Sequence, residues 1–459
     1  MTLRGQVTLA SLGLAFVLAL GWVVEPFGAV RAALRPQLDE AVEGEARPPE
    51  EVASMSPAAM GALLERLPIT RESLELPATA AGDGATPGRI YETLPIDDPK
   101  LHVPGPLRVE YTLDAELMKQ VFSVLKRGRV ALGNVVVMEP ESGRVLAYAS
   151  TDLDRFPPTR SYPAASLVKV ITAAAALDRA PDTARLPCRY RGSPYRLTPS
   201  RIDPPSNGNT VSLRRALATS NNQCFAQLAV HALGARPLLE ALGRFGWLRS
   251  PAPAHAAGLA DAGEQRYDVG RLGCGLAGSR ITPLHAVQLA STLAHGELVA
   301  PRWIERVLDG EGRNLPVPET ALPRRVLAPK LSAELRDMLV DTTRSGTARR
   351  AFRGRGGRPL LGPIAVAGKT GSLSGKDPDG RYEWFIGVAP ADEPRIAVAT
   401  VLVQDHLWWR NASQVAADVL KIVFCSREGC RPENAARFTK PGATSAVAET
   451  SSPATSRLN

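Results

Sequence analysis

The sequence predicts an α+β protein: one antiparallel sheet built from N- and C-terminal segments of the central region, with an inserted all-helical subdomain, behind an N-terminal membrane anchor. Three observations carry this. β-rich runs stand at both ends of the central region, at 134–138 and 144–148 and again at 364–371, 382–389 and 396–403. Alanine- and leucine-rich stretches with helical periodicity lie between them. Ahead of both, residues 7–24 are uncharged and apolar, at the short end of what spans a bilayer.

Residues 134–138 and 144–148 flank the turn-rich EPESG at 139–143, which makes them a hairpin. Residues 166–178 (SLVKVITAAAALD) suit a buried helix. Helical segments continue through 213–233, 237–245 and 282–294, the last with Thr282 as N-cap and Pro283 at the first helical position. Residues 331–343 form another helix; the second group of strands follows, and 412–424 closes the region as a helix. Neither group of strands is stable alone, so the region folds as one domain.

The flanks divide into a head at 1–6, the anchor at 7–24, a Pro-, Ala- and Glu-rich stalk or small module at 25–105, the folded region at 106–430 and a disordered tail at 431–459. Arg4 precedes the apolar stretch and Trp22 stands near its far end, where interfacial aromatics belong. No A-x-A site follows, which favours a retained anchor over a cleaved signal. The short head is the natural part to stay inside while the folded mass is exported.

With 459 residues, 44% hydrophobic and 22% charged, the chain is neither wholly disordered nor fibrous. A mean hydropathy of -0.08 excludes a polytopic membrane protein. The net charge is +9, and the surplus is mostly arginine, because Lys+Arg total 55 and only nine are lysines. The arginines read as spread along the chain without a basic run interleaved with aromatics. That pattern speaks against nucleic acid and for a solvated surface suited to anionic lipid or polymer. Five cysteines are too few for a disulfide scaffold and too scattered for a zinc site. Cys425 and Cys430 are close enough to pair in an oxidising compartment; free thiols throughout are the other reading. There is no HExxH and no CxxC, so neither metal nor cofactor is expected.

Three short patterns stand in order: SLVK at 166–169, SNN at 220–222 and KTG at 369–371. Each alone is weak, since Ser-x-x-Lys is an ordinary helix start and Ser-x-Asn an ordinary cap. Together they are specific. Ser166 and Lys169 lie three apart at a helix start and share one face. Lys169 is the only charged residue between Ser166 and Leu177, and an apolar surrounding weakens its hold on a proton, so that it can serve as base to the serine. Ser-Lys pairs are a known substitute for a histidine triad. The helix N-terminus favours a developing oxyanion.

In this order the three patterns resemble the penicillin-binding protein and serine β-lactamase superfamily, over 106–430. Supporting stretches are similar to its transpeptidase branch: 133–150 (GNVVVMEPESGRVLAYAS), 211–228 (VSLRRALATSNNQCFAQL), 278–297 (GSRITPLHAVQLASTLAHGE), GTA at 346–348 and EWFIGVAP at 383–390. The resemblance implies a β-lactamase/transpeptidase-like fold, with 106–430 as the transpeptidase domain. It implies Ser166 as the acylated nucleophile, Lys169 as its base and Ser220 as proton relay to the leaving amine. Asn222 would bond the substrate amide and Lys369 would supply positive potential. Thr370 and Ser372, flanking Gly371, would bind the substrate's terminal carboxylate, and the N–H groups of Ser166 and Ser372 would form the oxyanion hole.

The implied ligands are peptidoglycan stem peptides ending in D-Ala-D-Ala and β-lactam antibiotics. The implied location is the bacterial inner (cell) membrane, single-pass, with the catalytic domain on the periplasmic or extracytoplasmic side and cell-wall synthesis proteins as candidate partners. No stretch before 106 suits a glycosyltransferase domain, so a monofunctional D,D-transpeptidase leads. The alternatives are a D,D-carboxypeptidase or β-lactamase that hydrolyses the same acyl-enzyme, and a non-catalytic penicillin-recognising sensor. No carboxylate motif for deacylation stands between Ser220 and Lys369, where Asp261 and Glu264 are candidates by default. Intact motifs speak against the sensor.

Overall fold

The computed structural model describes residues 89–94, 106–317, 320–404 and 410–439. Strands β1 (Arg89–Leu94) and β2 (Leu107–Asp114) lead to helix α1 (Ala115–Arg127) and the hairpin of β3 (Leu132–Met138) and β4 (Val145–Ser150). The insert opens with α2 (Val168–Arg179), the short strands β5 (Cys188–Tyr190) and β6 (Asn209–Val211), α3 (Leu213–Ala218) and α4 (Asn222–Gln227). It continues with α5 (Ala235–Arg244), α6 (Arg266–Cys274), α7 (Pro283–His295), β7 (Ile304–Leu308) and α8 (Pro329–Arg344). Strands β8 (Ala367–Lys376), β9 (Asp379–Ala389) and β10 (Ile396–Gln404) and helix α9 (Ala412–Phe424) complete it.

The central sheet is antiparallel with order β8-β9-β10-β3-β4, so the pairing of β10 with β3 closes the sheet across the whole insert. β3 and β4 are buried at every position and β10 at all but its last. Such continuous burial requires cover on both faces. α7 packs on β9, β10 and β3, while α9 packs on β9 and β10 and meets α1. Strand β8 stands at the edge. Its outer N–H and C=O groups are therefore open to an extended ligand.

Most elements fall where the sequence places them, and four departures stand out. The helical stretch expected through 213–233 is interrupted, because Ser220 takes a left-handed φ of 57° between α3 and α4. The strand expected at 364–371 begins at Ala367 and runs to Lys376; Ile364 instead closes a turn, its N–H donating to Leu361 O at 3.2 Å. A second sheet, β1-β2-β7 with Asn314–Leu315, brings part of the expected stalk into the fold. Here Glu110 of β2, fully buried, accepts from Arg306 of β7 at 2.7 and 3.1 Å.

Where a disordered tail was expected from 431, Pro432–Ala435 and Ala436–Thr439 form two short helices. Ala435 and Phe438 are buried, and Arg89 donates to Phe438 O at 3.4 Å. Asn434 Nδ2 adds a hydrogen bond to Phe424 O at 2.8 Å, so buried apolar side chains and backbone contacts together dock the segment. Among the described residues no helix is long and apolar enough to cross a membrane. The expected head and span, 1–24, and residues 440–459 lie outside the described residues.

Disulfides join Cys188 to Cys224 and Cys425 to Cys430, and Cys274 is a buried free thiol. The first was not legible in the sequence, since its partners are 36 residues apart. It ties β5 to α4, whose first residue is Asn222. Closing a loop of this length stabilises by about 3–4 kcal/mol in the chain-entropy account. A Cys188→Ser, Cys224→Ser variant is expected to lose that much in urea unfolding under non-reducing conditions. An unchanged midpoint would mean that the bridge constrains nothing.

Candidate active site

Ser166 sits in the single 3-10 turn Ala165–Leu167 that opens α2. The turn is entered through Ala165 at φ 49°, a strained value for a residue with a Cβ. Gly275, the left-handed C-cap of α6, presses against it: a Cβ there would come within 1.9 Å of Ala165 O. Only glycine allows that approach. On the other side, Gly371 lets β8 pass close, with room for a Cβ only 3.3 Å from both Ala165 and Trp384 side chains. Ser166 is thus held between the end of a helix and the edge strand.

Lys169 is completely buried. Its Nζ donates to Asn222 Oδ1 at 2.7 Å and to the Cys274 carbonyl at 2.9 Å, and lies 2.7 Å from Ser166 Oγ. Asn222 Nδ2 donates to Tyr195 O at 2.7 Å, which fixes the orientation of the amide. Oδ1 and a carbonyl can only accept. They take both hydrogens of a neutral amine and leave its lone pair directed at the Ser166 hydroxyl. Burial pushes the Lys169 amine down to about 8, against an opposing influence of Cys274. A serine hydroxyl against an amine that gives up its proton this readily is an arrangement that can supply a nucleophile and its base.

Ser220, held by its left-handed backbone, bridges two lysines. Lys369 Nζ donates to Ser220 Oγ at 2.9 Å and to Thr370 O at 2.7 Å, while Lys169 Nζ is 3.3 Å from the same hydroxyl. Burial, and then the charge of Lys169, hold Lys369 well below the ordinary lysine range. Such a hydroxyl between two amines can pass a proton in either direction.

Ser166, Ser220, Asn222, Thr370, Gly371 and Ser372 line one open cleft of about 1120 Å³, with Lys169 and Lys369 beneath it. The structure therefore brings together all eight residues singled out in the sequence. Asn222, expected to meet substrate, has its carbonyl on Lys169 and one amide hydrogen on Tyr195, which leaves the second amide hydrogen for a ligand. Thr370 Oγ1 lies 2.6 Å from Thr347 Oγ1, and Arg381 Nε donates to Ser372 Oγ at 2.7 Å.

Arg381 and Glu383 were missed by sequence reasoning. Both project from β9 into the cleft, and only the register, with Glu383 opposite Ser372, puts them there. Neither Asp261 nor Glu264 lines the cleft; among the described residues its carboxyl is that of Glu383. Burial raises the Glu383 carboxyl to about 7, against Arg381 and the Ala412 N–H, and its Oε2 is buried without a hydrogen-bond partner. The unfolded chain ionises this group near 4.5, so the folded state holds the proton longer. Stability contributed by the neutral form is complete below that value and is lost as pH rises through about 7. Glu383→Gln is expected to raise the thermal midpoint at about pH 8 and to leave it nearly unchanged at about pH 4. Equal shifts at both pH values would rule out a buried, ionising Glu383.

Residues 133–424 match the family described as Penicillin binding protein transpeptidase domain. The chain is 29% identical over 347 residues to the peptidoglycan D,D-transpeptidase PbpA of Mycolicibacterium smegmatis, across 65% of this chain and 67% of that one. It is 27% identical over 340 residues to the protein of the same name from Mycobacterium tuberculosis, again across 65% and 67%. Among solved structures, PBPA from Mycobacterium tuberculosis superposes with a TM-score of 0.56 at 24% identity, over 68% of this chain and 80% of that one. The ceftriaxone acyl-enzyme complex of penicillin-binding protein A from the same organism gives the same score and identity, over 68% and 79%. These superpositions bear on the fold.

Proposed function

The chain belongs to the penicillin-binding protein transpeptidase family, and from that premise we infer that it cross-links peptidoglycan stem peptides as a serine-type D,D-transpeptidase. The carrying observation is the contact of Ser166 Oγ with the buried Lys169 amine at 2.7 Å. Lys169 takes the hydroxyl proton as Ser166 attacks the carbonyl of the D-Ala-D-Ala bond. The C–N bond breaks, and Ser220 returns a proton to the departing D-Ala amine. A second stem peptide's amine then attacks the Ser166 ester; an amide forms, the ester bond breaks and Ser166 regains its proton. Backbone N–H groups of Ser166 and Ser372 hold the oxyanion in both steps. Lys369, Thr370 and Ser372 receive the terminal carboxylate, with Arg381 adding positive charge at the same end. β-lactams acylate the same serine.

The anchored, extracytoplasmic placement is part of this reading. Two disulfides support an oxidising compartment, and the apolar stretch 7–24 supports a single span. Product analysis tests the function: the full chain in detergent is given a D-Ala-D-Ala pentapeptide and an amine acceptor. Cross-linked amide is the expected main product. Hydrolysed tetrapeptide in its place would make the protein a carboxypeptidase, rapid turnover of a chromogenic cephalosporin a β-lactamase, and penicillin labelling without D-Ala release a sensor.

A further inference from the structure

The excess positive charge is concentrated beside the cleft. Residues 344–358 read RSGTARRAFRGRGGR, with six arginines and no acid, and no Asp or Glu occurs between Asp341 and Asp377. All six are exposed. None makes an ion pair with another described residue, although arginines elsewhere on the described surface commonly do. The nearest carboxylates on α8, Asp337 and Asp341, are committed to Arg214.

The segment is folded. Ala348, Ala351 and Phe352 are buried, and the Phe352 ring lies 5.3 Å from that of Phe385 on β9. Gly354 N–H donates to Arg358 O at 2.8 Å and Leu360 N–H to Phe352 O at 3.0 Å. Apolar residues point in and arginines out, so the charges are presented on a fixed frame. The N-terminal end of the frame is fastened beside the cleft. Thr347 lines it and touches Thr370, and Thr343 Oγ1 donates to Val366 O at 2.7 Å, just ahead of β8. Between the arm and α8 lies an open hollow, with Arg344 and Arg353 on its wall over Phe352 and Leu361.

We propose that this arginine arm is a second binding surface for the substrate, taking carboxylate-bearing stem peptides of the peptidoglycan strand whose terminus occupies the cleft. Arg349 is two residues from cleft-lining Thr347, no more than about 7 Å of chain. The molecule that must be present there is the substrate polymer, and it carries repeated carboxylates. Arginine forks bind carboxylates in pairs of hydrogen bonds, and the hollow accepts the apolar part of a peptide. The inference rests on the transpeptidase reading for the identity of the polymer.

The test uses the full chain in detergent, with Arg349→Ser, Arg350→Ser, Arg355→Ser and Arg358→Ser combined; Arg353, which bonds Gly357 O, is left in place. Binding of soluble uncross-linked strands with pentapeptide stems is measured in a Ser166→Ala background, which needs no turnover. The arm variant is expected to bind them about tenfold more weakly and with less salt dependence. Strands whose carboxylates are methyl-esterified should bind both proteins alike. With Ser166 restored, the penicillin labelling rate should match that of the parent, and the KM for cross-linking strands should rise while that for a short peptide shows no change. Unchanged strand binding overturns the proposal. So does weakened binding of dihexanoyl-phosphatidylglycerol with strands unaffected, which would make the arm a lipid site. Failure of the parent to form cross-links would instead count against the transpeptidase reading, because strand binding does not depend on it.

Discussion

Ser166→Ala removes covalent labelling of the full chain by a fluorescent penicillin, with the acylation rate falling by at least about 10³. The reason is local. The Ser166 oxygen is within hydrogen-bond distance of a buried amine and lines the cleft beside the edge strand. Ser220 is the other cleft serine near a lysine, but its hydroxyl sits between two amines and takes a relay position. Removing one oxygen from a half-buried site leaves the core intact, so thermal unfolding of the variant should match that of the parent. Equal labelling of both proteins would sink the assignment and direct attention to Ser220.

Lys169→Met is expected to cost about as much in acylation, on the order of 10³, and to change the shape of the pH profile. In the parent, acylation should rise with pH and level off above about 8, as the Lys169 amine gives up its proton. Below that value only the free-base fraction is competent, and it falls tenfold per pH unit. Methionine matches the four-atom aliphatic part of the lysine chain and carries no base, so the remaining slow reaction should lose this limb. Stopped-flow acylation across the pH range reads both effects. A limb that survives in Lys169→Met would belong to Lys369, which is also buried and also bonded to Ser220. The roles of the two lysines would then have to be exchanged.

Legibility followed the range of the interactions. The Ser166–Lys169 pair was readable because one helical turn places i and i+3 on one face whatever the rest of the chain does. Thr282 and Pro283 mark the start of α7 for the same local reason, and His285 N–H donates to Thr282 Oγ1 at 3.1 Å. Helix α9 was bounded correctly at both ends, and its Asn411–Gln414 capping box is again a contact within one turn. The break at Ser220 was not readable, since serine carries no mark of a left-handed backbone. Glu383 was invisible as a cleft residue because only strand register decides which face of β9 it joins.

What the sequence determined by itself was the class of fold, the order of the motifs and the placing of Ser166 and Lys169 on one helical turn, all of which follow from local periodicity and short spacing. Tertiary structure alone decided that Lys369 meets Ser220 across 149 residues and that Lys169 is held by Asn222 and the Cys274 carbonyl. It also paired Cys188 with Cys224 and set the run of six arginines that the sequence holds at 344–358 beside the cleft, with no ion pair among the described residues. The physical reason is common to all four. Burial, partner choice and charge compensation depend on which distant surfaces share a space, and a one-dimensional pattern does not specify that.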